Sequence, residues 1–362
     1  MQRDMKIVEV EARAIDVGYF NVKYTTGRKS FESNSLIGTH MFPSLAPRQA
    51  SNKRTTSAGE MAGDGCVVEL DGISYFVGRD AIFHSSGKDP RKVLPEYSMS
   101  KKYLALMRGA MYYMAKDAGA EQELVIDHLV LGLPMNNYAE MAEALEERAR
   151  GEHLVTSPGR EGSMIRITIN HASVIPQPRG SLWNFGVENP GFNSKPAWSL
   201  VVDAGGGTLD WFLSHGKTPN WERSGAYPSS MLACSYAVAD MIDPDWKERF
   251  DIVQQIDEAI RRRAPTFTVG AREFDMRTYQ SAVDEVLHES VQAMLSKVED
   301  TDNLSTILLT GGGATVYHDF IARNYPKLRH SMVLEPDPIF SNVRGFQIGA
   351  ELYHARMKSQ AR

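Results

Sequence analysis

Val201-Val202-Asp203-Ala204-Gly205-Gly206-Gly207-Thr208-Leu209-Asp210-Trp211-Phe212-Leu213 reads as an apolar strand, an acid, three glycines, a hydroxyl, a second acid and a returning apolar strand. Three adjacent glycines lose much conformational freedom on folding. An ordered chain keeps them where a Cβ would obstruct something. Here they make a turn whose backbone N–H groups can approach an anion. The flanking acids repel phosphate, and they make sense beside it only with a divalent cation in between. The stretch reads as a nucleotide–Mg²⁺ site.

Working outward, the 362 residues suit two domains, or one with large insertions. A hydrophobic content of 42% with 23% charged residues is ordinary for a soluble globular chain. No apolar run approaches the roughly 18–20 residues that span a membrane, and the N-terminal segment lacks a signal-peptide core. The two cysteines, Cys66 and Cys234, form no framework and no metal-ligand spacing, which points to a reducing cytoplasm. A net charge of −5 argues against a dedicated nucleic-acid surface. Arg261-Arg262-Arg263 reads as a solvated helix face, and the ten histidines show no metal spacing.

Ile7 to Ile15 is a strand that runs into Asp16-Val17-Gly18, and Val22 to Thr25 returns as its hairpin partner. Ser44 to Gly65, rich in Ser, Thr, Gly and charge, reads as a long exposed loop. Asp71-Gly72 is a hairpin turn between Cys66–Leu70 and Ser74–Gly78. Tyr103 to Ala118 has helical spacing with Gly119 as its cap, and Tyr138 to Arg150 is a charged helix. Leu124 to Leu131, Met164 to Asn170 and Ala172 to Ile175 are strand material, the last stopped by Pro176-Gln177-Pro178. Residues 179–197, dense in Gly and Pro, read as a crossover into a second domain, with Trp183 and Phe185 packing between domains. Beyond the opening hairpin, Tyr227–Ile242, Trp246–Arg263 and Arg277–Val298 are helical by pattern. Ser305–Leu309 is a buried strand entering Thr310-Gly311-Gly312-Gly313, and helices follow from His318 and Gly345.

Asp16-Val17-Gly18 and Asp203-Ala204-Gly205 each close a strand and open a hairpin. With the late strand–Gly-Gly-Gly–helix, this order resembles the actin, DnaK-chaperone and hexokinase ATPase fold, an α/β architecture of two related domains around a nucleotide cleft. Phe42-Pro43-Ser44-Leu45-Ala46-Pro47, Val77-Gly78-Arg79-Asp80-Ala81, Gly132-Leu133-Pro134, Pro176-Gln177-Pro178 and Ser341-Asn342-Val343-Arg344-Gly345-Phe346 are similar to the plasmid-partition actins of the ParM/StbA type, including the PRTRC-system protein D group. The implied division is 1–178 for the first domain, 179–340 for the second, and 341–362 as a helix returning to the first.

The resemblance makes Asp16, Gly18, Tyr19, Phe20, Asn21 and Lys23 the first phosphate loop, with Lys23 as a phosphate contact. Gly205, Gly206, Gly207 and Thr208 form the second phosphate loop, and Gly311, Gly312, Gly313 and Ala314 the adenosine loop at a helix N-terminus. Mg²⁺ would be held through water by Asp16, Asp203 and Asp210, although a purely structural role suits Asp210 equally. Asp203 and Gln177 are the candidate catalytic residues. A glutamine cannot act as a base at neutral pH, but it can orient a water for in-line attack. Adenine and ribose contacts are expected from helices within 225–265, where Lys247, Glu248 and Arg249 are not separable.

The expected activity is slow, assembly-coupled ATP hydrolysis with ATP and Mg²⁺ as cofactors. The chain is expected to polymerise with itself and to move plasmid DNA through a DNA-bound adaptor, without touching nucleic acid or membrane. The alternatives are a non-polymerising nucleotide-dependent regulator and a small-molecule kinase of the same fold.

Overall fold

The glycine hairpin sits at one end of the second of two sheets that share a topology. The computed structural model describes residues 7–31, 34–49, 63–85, 87–88, 91–158, 163–193 and 196–360. Its first half runs β1 (Ile7–Val17), β2 (Asn21–Phe31), β3 (Asn34–Pro43), β4 (Gly65–Leu70), β5 (Ile73–Gly78), α1 (Ala81–His84), α2 (Lys101–Asp117), β6 (Glu123–Leu133), α3 (Met135–Ala149), β7 (Gly151–Thr156) and β8 (Met164–Pro176). Then come α4 (Gln177–Glu188), β9 (Trp198–Ala204), β10 (Leu209–His215), β11 (Thr218–Tyr227), α5 (Met231–Ile242), α6 (Phe250–Arg262), β12 (Thr266–Val269), β13 (Arg272–Asp275) and α7 (Gln280–Val298). β14 (Leu304–Thr310), α8 (Ala314–Asn324), β15 (Met332–Leu334) and α9 (Ser341–Gln360) complete the chain.

The first sheet has the order β3-β2-β1-β6-β8-β7-β4-β5 and the second β11-β10-β9-β14-β15. In each, an antiparallel meander (β1-β2-β3, β9-β10-β11) is followed by two parallel additions to its first strand (β6 and β8, β14 and β15). The duplicated Asp-Gly hairpins are thus equivalent positions of two related α/β domains. Parallel strands need covering on both faces. On one face of the first sheet, Leu106, Met107, Met111 and Met114 of α2 pack on Leu124, Ile126, Leu131 and Ile167. On the other, Val343, Phe346 and Ala350 of α9 meet Ala12, Ala14, Val130 and Ile175. The second sheet is covered by Val238, Ile256, Leu287, Val291 and Met294 from α5, α6 and α7. Its opposite face, at Val201, Phe212 and Leu308, receives Leu182 and Phe185 of α4.

The crossover expected at 179–197 runs from β8 of the first sheet to β9 of the second, and most of it is helix α4. Pro178 occupies the first turn, where no N–H is required. Gly180 and Gly345 let α4 and α9 lie together: a Cβ on Gly180 would collide with the Asn342 carbonyl and the Phe346 ring, and one on Gly345 with the Gly180 backbone. Trp183 faces the α9 cluster and Phe185 the second sheet, so both bridge the domains. Residues 164–176 form one strand rather than two, and β3, β7, β11, β12, β13 and β15 were not anticipated. The loop expected at 44–65 is buried where it begins, with Ser44, Leu45 and Ala46 inside, and its residues 50–62 lie outside the described ones.

Candidate functional site between the two domains

Five elements end at one cleft. Asp16 is the penultimate residue of β1 and Asp203 of β9, Gly132 and Leu133 end β6, Gln177 follows β8, and Gly311 follows β14. All are at carboxyl ends of parallel strands, where open α/β sheets bind ligands. The cleft is lined by Asp16, Gly18, Tyr19, Phe20, Asn21, Lys23, Gln177, Asp203, Gly205, Gly206, Gly207, Thr208, Gly311, Gly312 and Gly313. Asp210 and Ala314 lie behind this wall, fully buried.

Asp16 is the centre of the first wall. Lys23 stands directly across the β1–β2 hairpin and donates from Nζ to Oδ2 at 2.8 Å. The amide Nε2 of Gln177, the first residue of α4, donates to Oδ1 at 2.7 Å. Lys23 therefore reaches the cleft already paired with a carboxylate, and Gln177 is fixed by the same group. Burial alone would lower the Lys23 pKa, but Asp16 beside it, and Asp203 further off, turn the net shift upward. The ammonium is a permanent charge on this wall.

In the opposite wall, Asp203 and Asp210 face each other across the β9–β10 pair. Oδ2 of Asp203 accepts from Nδ2 of Asn342 at 2.6 Å. Burial pushes the Asp203 pKa up to about 6, against the lowering effects of Asn342 and Lys23. Burial, and then the charge of Asp203, push Asp210 up to about 7. Both oxygens of Asp210 are committed to protein donors: Oδ2 to the Thr208 hydroxyl at 2.5 Å and Oδ1 to the backbone N–H of Met135 at 2.6 Å. This geometry favours the structural side of the two roles open to Asp210. The turn is closed by Gly205 N–H to the Thr208 carbonyl at 3.0 Å, and Leu232 N–H of α5 holds the Gly206 carbonyl at 2.8 Å.

The third loop is anchored to the second, since Gly313 N–H donates to the Ala204 carbonyl at 2.9 Å. Gly311 has φ +85°, and a Cβ there would run into the Asp203 carboxylate. Within 225–265, Asp257 and Arg261 of α6 line the cleft. Arg261 Nε donates to Asp257 Oδ2 at 2.7 Å, while Oδ1 is buried without a hydrogen bond among the described residues. Burial raises the Asp257 pKa. Lys247 and Arg249 instead pair outside the cleft, with Asp240 at 2.5 Å and Asp251 at 2.9 Å.

Two aromatic rings close the gap between the phosphate-type loops. Phe20 lies against Gly206 and Tyr19 against Gly207, so close that a Cβ on either glycine would overlap the ring. Tyr19 stacks on Tyr97 at 4.7 Å, and the Arg91 guanidinium covers Phe20 at 4.1 Å. The space remaining is about 80 Å³, whereas small-molecule sites run to roughly 300–1,000 Å³. Room for a ligand of nucleotide size would require the two loops to part.

The wall fits a Mg²⁺–nucleotide in its chemistry: the buried carboxylates of Asp16 and Asp203, with one ammonium between them, leave excess negative charge, and three glycine-bearing loops present bare backbone. Among the described residues no three of His, Cys, Asp or Glu converge as direct metal ligands. Two residues that matter here escaped the sequence reading. Asn342 fixes Asp203, and Ser44 Oγ donates to the Gly18 carbonyl at 2.6 Å, holding the first turn. Both lie in segments already quoted for their resemblance, but only the tertiary fold brings them to the cleft.

The model for the actin-like proteins N-terminal domain matches residues 14–180, and that for the archaeal actin homologue MreB-like C-terminal domain matches 201–323. No curated protein matches the chain. Among solved structures, apo psk41 ParM is similar over 97% of this chain and 99% of its own, at 17% identity and a TM-score of 0.65. The archaeal actin homologue Ta0583 in complex with ADP is similar over 95% and 100%, at 18% identity and 0.67. The Alp12 filament structure is similar over 96% and 99%, at 14% identity and 0.61. Among the described residues no helix is long and apolar enough to cross a membrane.

Proposed function

We propose that this chain, which belongs to the actin-like proteins, binds Mg·ATP between its two domains, hydrolyses it slowly, and assembles into filaments that act on plasmid DNA through a DNA-bound adaptor in the cytoplasm. The observation that carries the reading is the Lys23–Asp16–Gln177 cluster facing Asp203 across glycine loops. In this reading Asp16 and Asp203 hold the hydrated cation, which supplies charge neutralisation on the phosphates. Lys23 adds a fixed positive charge, and backbone N–H groups of Gly205, Gly206 and Gly207 take the terminal phosphates. Gln177, held by its Nε2, has its carbonyl oxygen available to accept from a water and aim it in line. Asp257 and Arg261 take the nucleoside end, beside Gly311, Gly312 and Gly313.

The likeness to ParM and Alp structures supports self-association, and the net charge of −5 suits a filament that reaches DNA through an adaptor. The test is sedimentation and light scattering with ATP, ADP or no nucleotide, run beside phosphate release without any added substrate. ATP-dependent assembly with phosphate release is expected. Release that requires a small-molecule acceptor would favour a kinase, and release without assembly a regulator.

A further inference from the structure

Among the cleft's described residues, two polar groups that no role above absorbs are buried without a hydrogen bond, Ser98 Oγ and the Tyr103 hydroxyl, and the second is the larger and more deeply set. Tyr103, in the first turn of α2, is 2% exposed, yet its ring is part of the cleft wall. Its hydroxyl is buried and has no hydrogen-bond partner among the described residues. The residue is held firmly: Ser100 Oγ caps its backbone N–H at 3.1 Å, and Tyr97 packs edge-on against its ring at 5.5 Å. Tyr97 in turn carries Tyr19 of the first phosphate-type loop. A buried hydroxyl with no partner is unfavourable, and one in the wall of a cleft can be satisfied by what the cleft takes in. Burial, and then the charge of Asp16, raise the phenol's pKa, so the group is an O–H donor at neutral pH. Its ring belongs to the cleft that Asp16 lines and the charge of Asp16 acts on it, whereas in the reading above Asp257 and Gly311 to Gly313 take the nucleoside end.

We infer that Tyr103 is a positioning residue whose hydroxyl donates to the oxygen-rich terminal-phosphate end of the bound nucleotide, either to a phosphoryl oxygen or to the water ordered on it. The inference rests on the nucleotide reading above. No bond is made or broken at the phenol: it fixes an acceptor oxygen and so narrows the geometry available to attack.

The experiment compares the full chain with Tyr103→Phe, which removes only the oxygen. Melting temperature and affinity are measured without ligand and with Mg²⁺ plus AMP, ADP or a non-hydrolysable ATP analogue. Tyr103→Phe should melt no lower than wild type without ligand. It should bind the triphosphate analogue about tenfold more weakly, the scale of one lost hydrogen bond, and should bind AMP as wild type does. Phosphate release should slow as well. Unchanged analogue affinity with unchanged release overturns the inference, and so does an equal loss for AMP. A lower ligand-free melting temperature would mean the hydroxyl is already paired in the free protein, which overturns it too. If wild-type protein binds none of the three nucleotides, the functional reading falls and takes this inference with it. A wild type that binds while Tyr103→Phe behaves identically removes the inference alone.

Discussion

Asp210 of the second domain accepts the backbone N–H of Met135, the first residue of α3 in the first domain, at 2.6 Å. The carboxylate thus caps a helix across the domain boundary, where a negative charge at a helix N-terminus is favourable. Its other oxygen holds Thr208. Asp210→Ala strands two donors and should cost about 1–3 kcal/mol in urea unfolding. Asp210→Asn keeps an acceptor for Met135 and should cost less. Equal stability of wild type and the alanine variant would exclude the cross-domain cap.

The raised acids give a pH dependence with a definite sign. Asp203 and Asp210 have folded-state pKa values of about 6 and about 7, above the ordinary carboxylate value. Their contribution to stability is fully present below about pH 4 and is lost as pH rises through 6 and 7. Without nucleotide, the urea midpoint should therefore fall between pH 5 and pH 8, and Asp210→Asn should show a shallower slope. A midpoint that rises over this range in wild type but not in the variant would contradict the assignment. Binding of Mg·ATP should strengthen over the same range, because a cation prefers the ionised pair.

Asp203 and Gln177 should separate binding from turnover. Asp203→Ala removes a buried carboxylate that Asn342 orients, so both Mg·ATP affinity and phosphate release should collapse. Gln177→Ala should slow release roughly 10²-fold while changing nucleotide affinity by less than threefold. Turnover at the wild-type rate in that variant would end the water-positioning role.

Tyr138 of α3 and Trp221 of β11 stack face to face across the domains, 2° from parallel at 6.2 Å. In the nucleotide reading, entry would part Tyr19 and Phe20 from Gly207 and Gly206, against which they lie, and this relative motion should disturb the stack. Trp221 emission is expected to change on adding ADP, and Trp221→Phe should abolish that change. Persistence of the full signal in the variant would locate the motion elsewhere.

Much of this fold was legible because its strongest features are local. A strand, an acid and glycines in a row declare a turn by composition alone, and the repeat at Asp16 pointed to two equivalent domains. What stayed hidden was settled by partners distant in sequence. α4 reads as loop because Gly180 and Gly186 lower helix propensity, yet its Leu182 and Phe185 are claimed by the second sheet. β7 and β11 are polar on their exposed faces and pair only once β8 and β10 exist. The carboxyl of Asp210 looked equivalent to that of Asp203 in the sequence. The difference between them comes from Met135, 75 positions away.

The crossing of α4 and α9 has a mechanical consequence. One helix covers the second sheet and the other the first, and at Gly180 and Gly345 they touch backbone to backbone with no side chain between. Side chains elsewhere can change rotamer and let helices slip past one another, but bare backbones at contact cannot yield. The crossing works as a pivot: it permits rotation of one domain against the other and resists translation. The crossing lies against the cleft itself: Ser181, next to Gly180, bonds Thr310 and Asn342, and Asn342 holds Asp203.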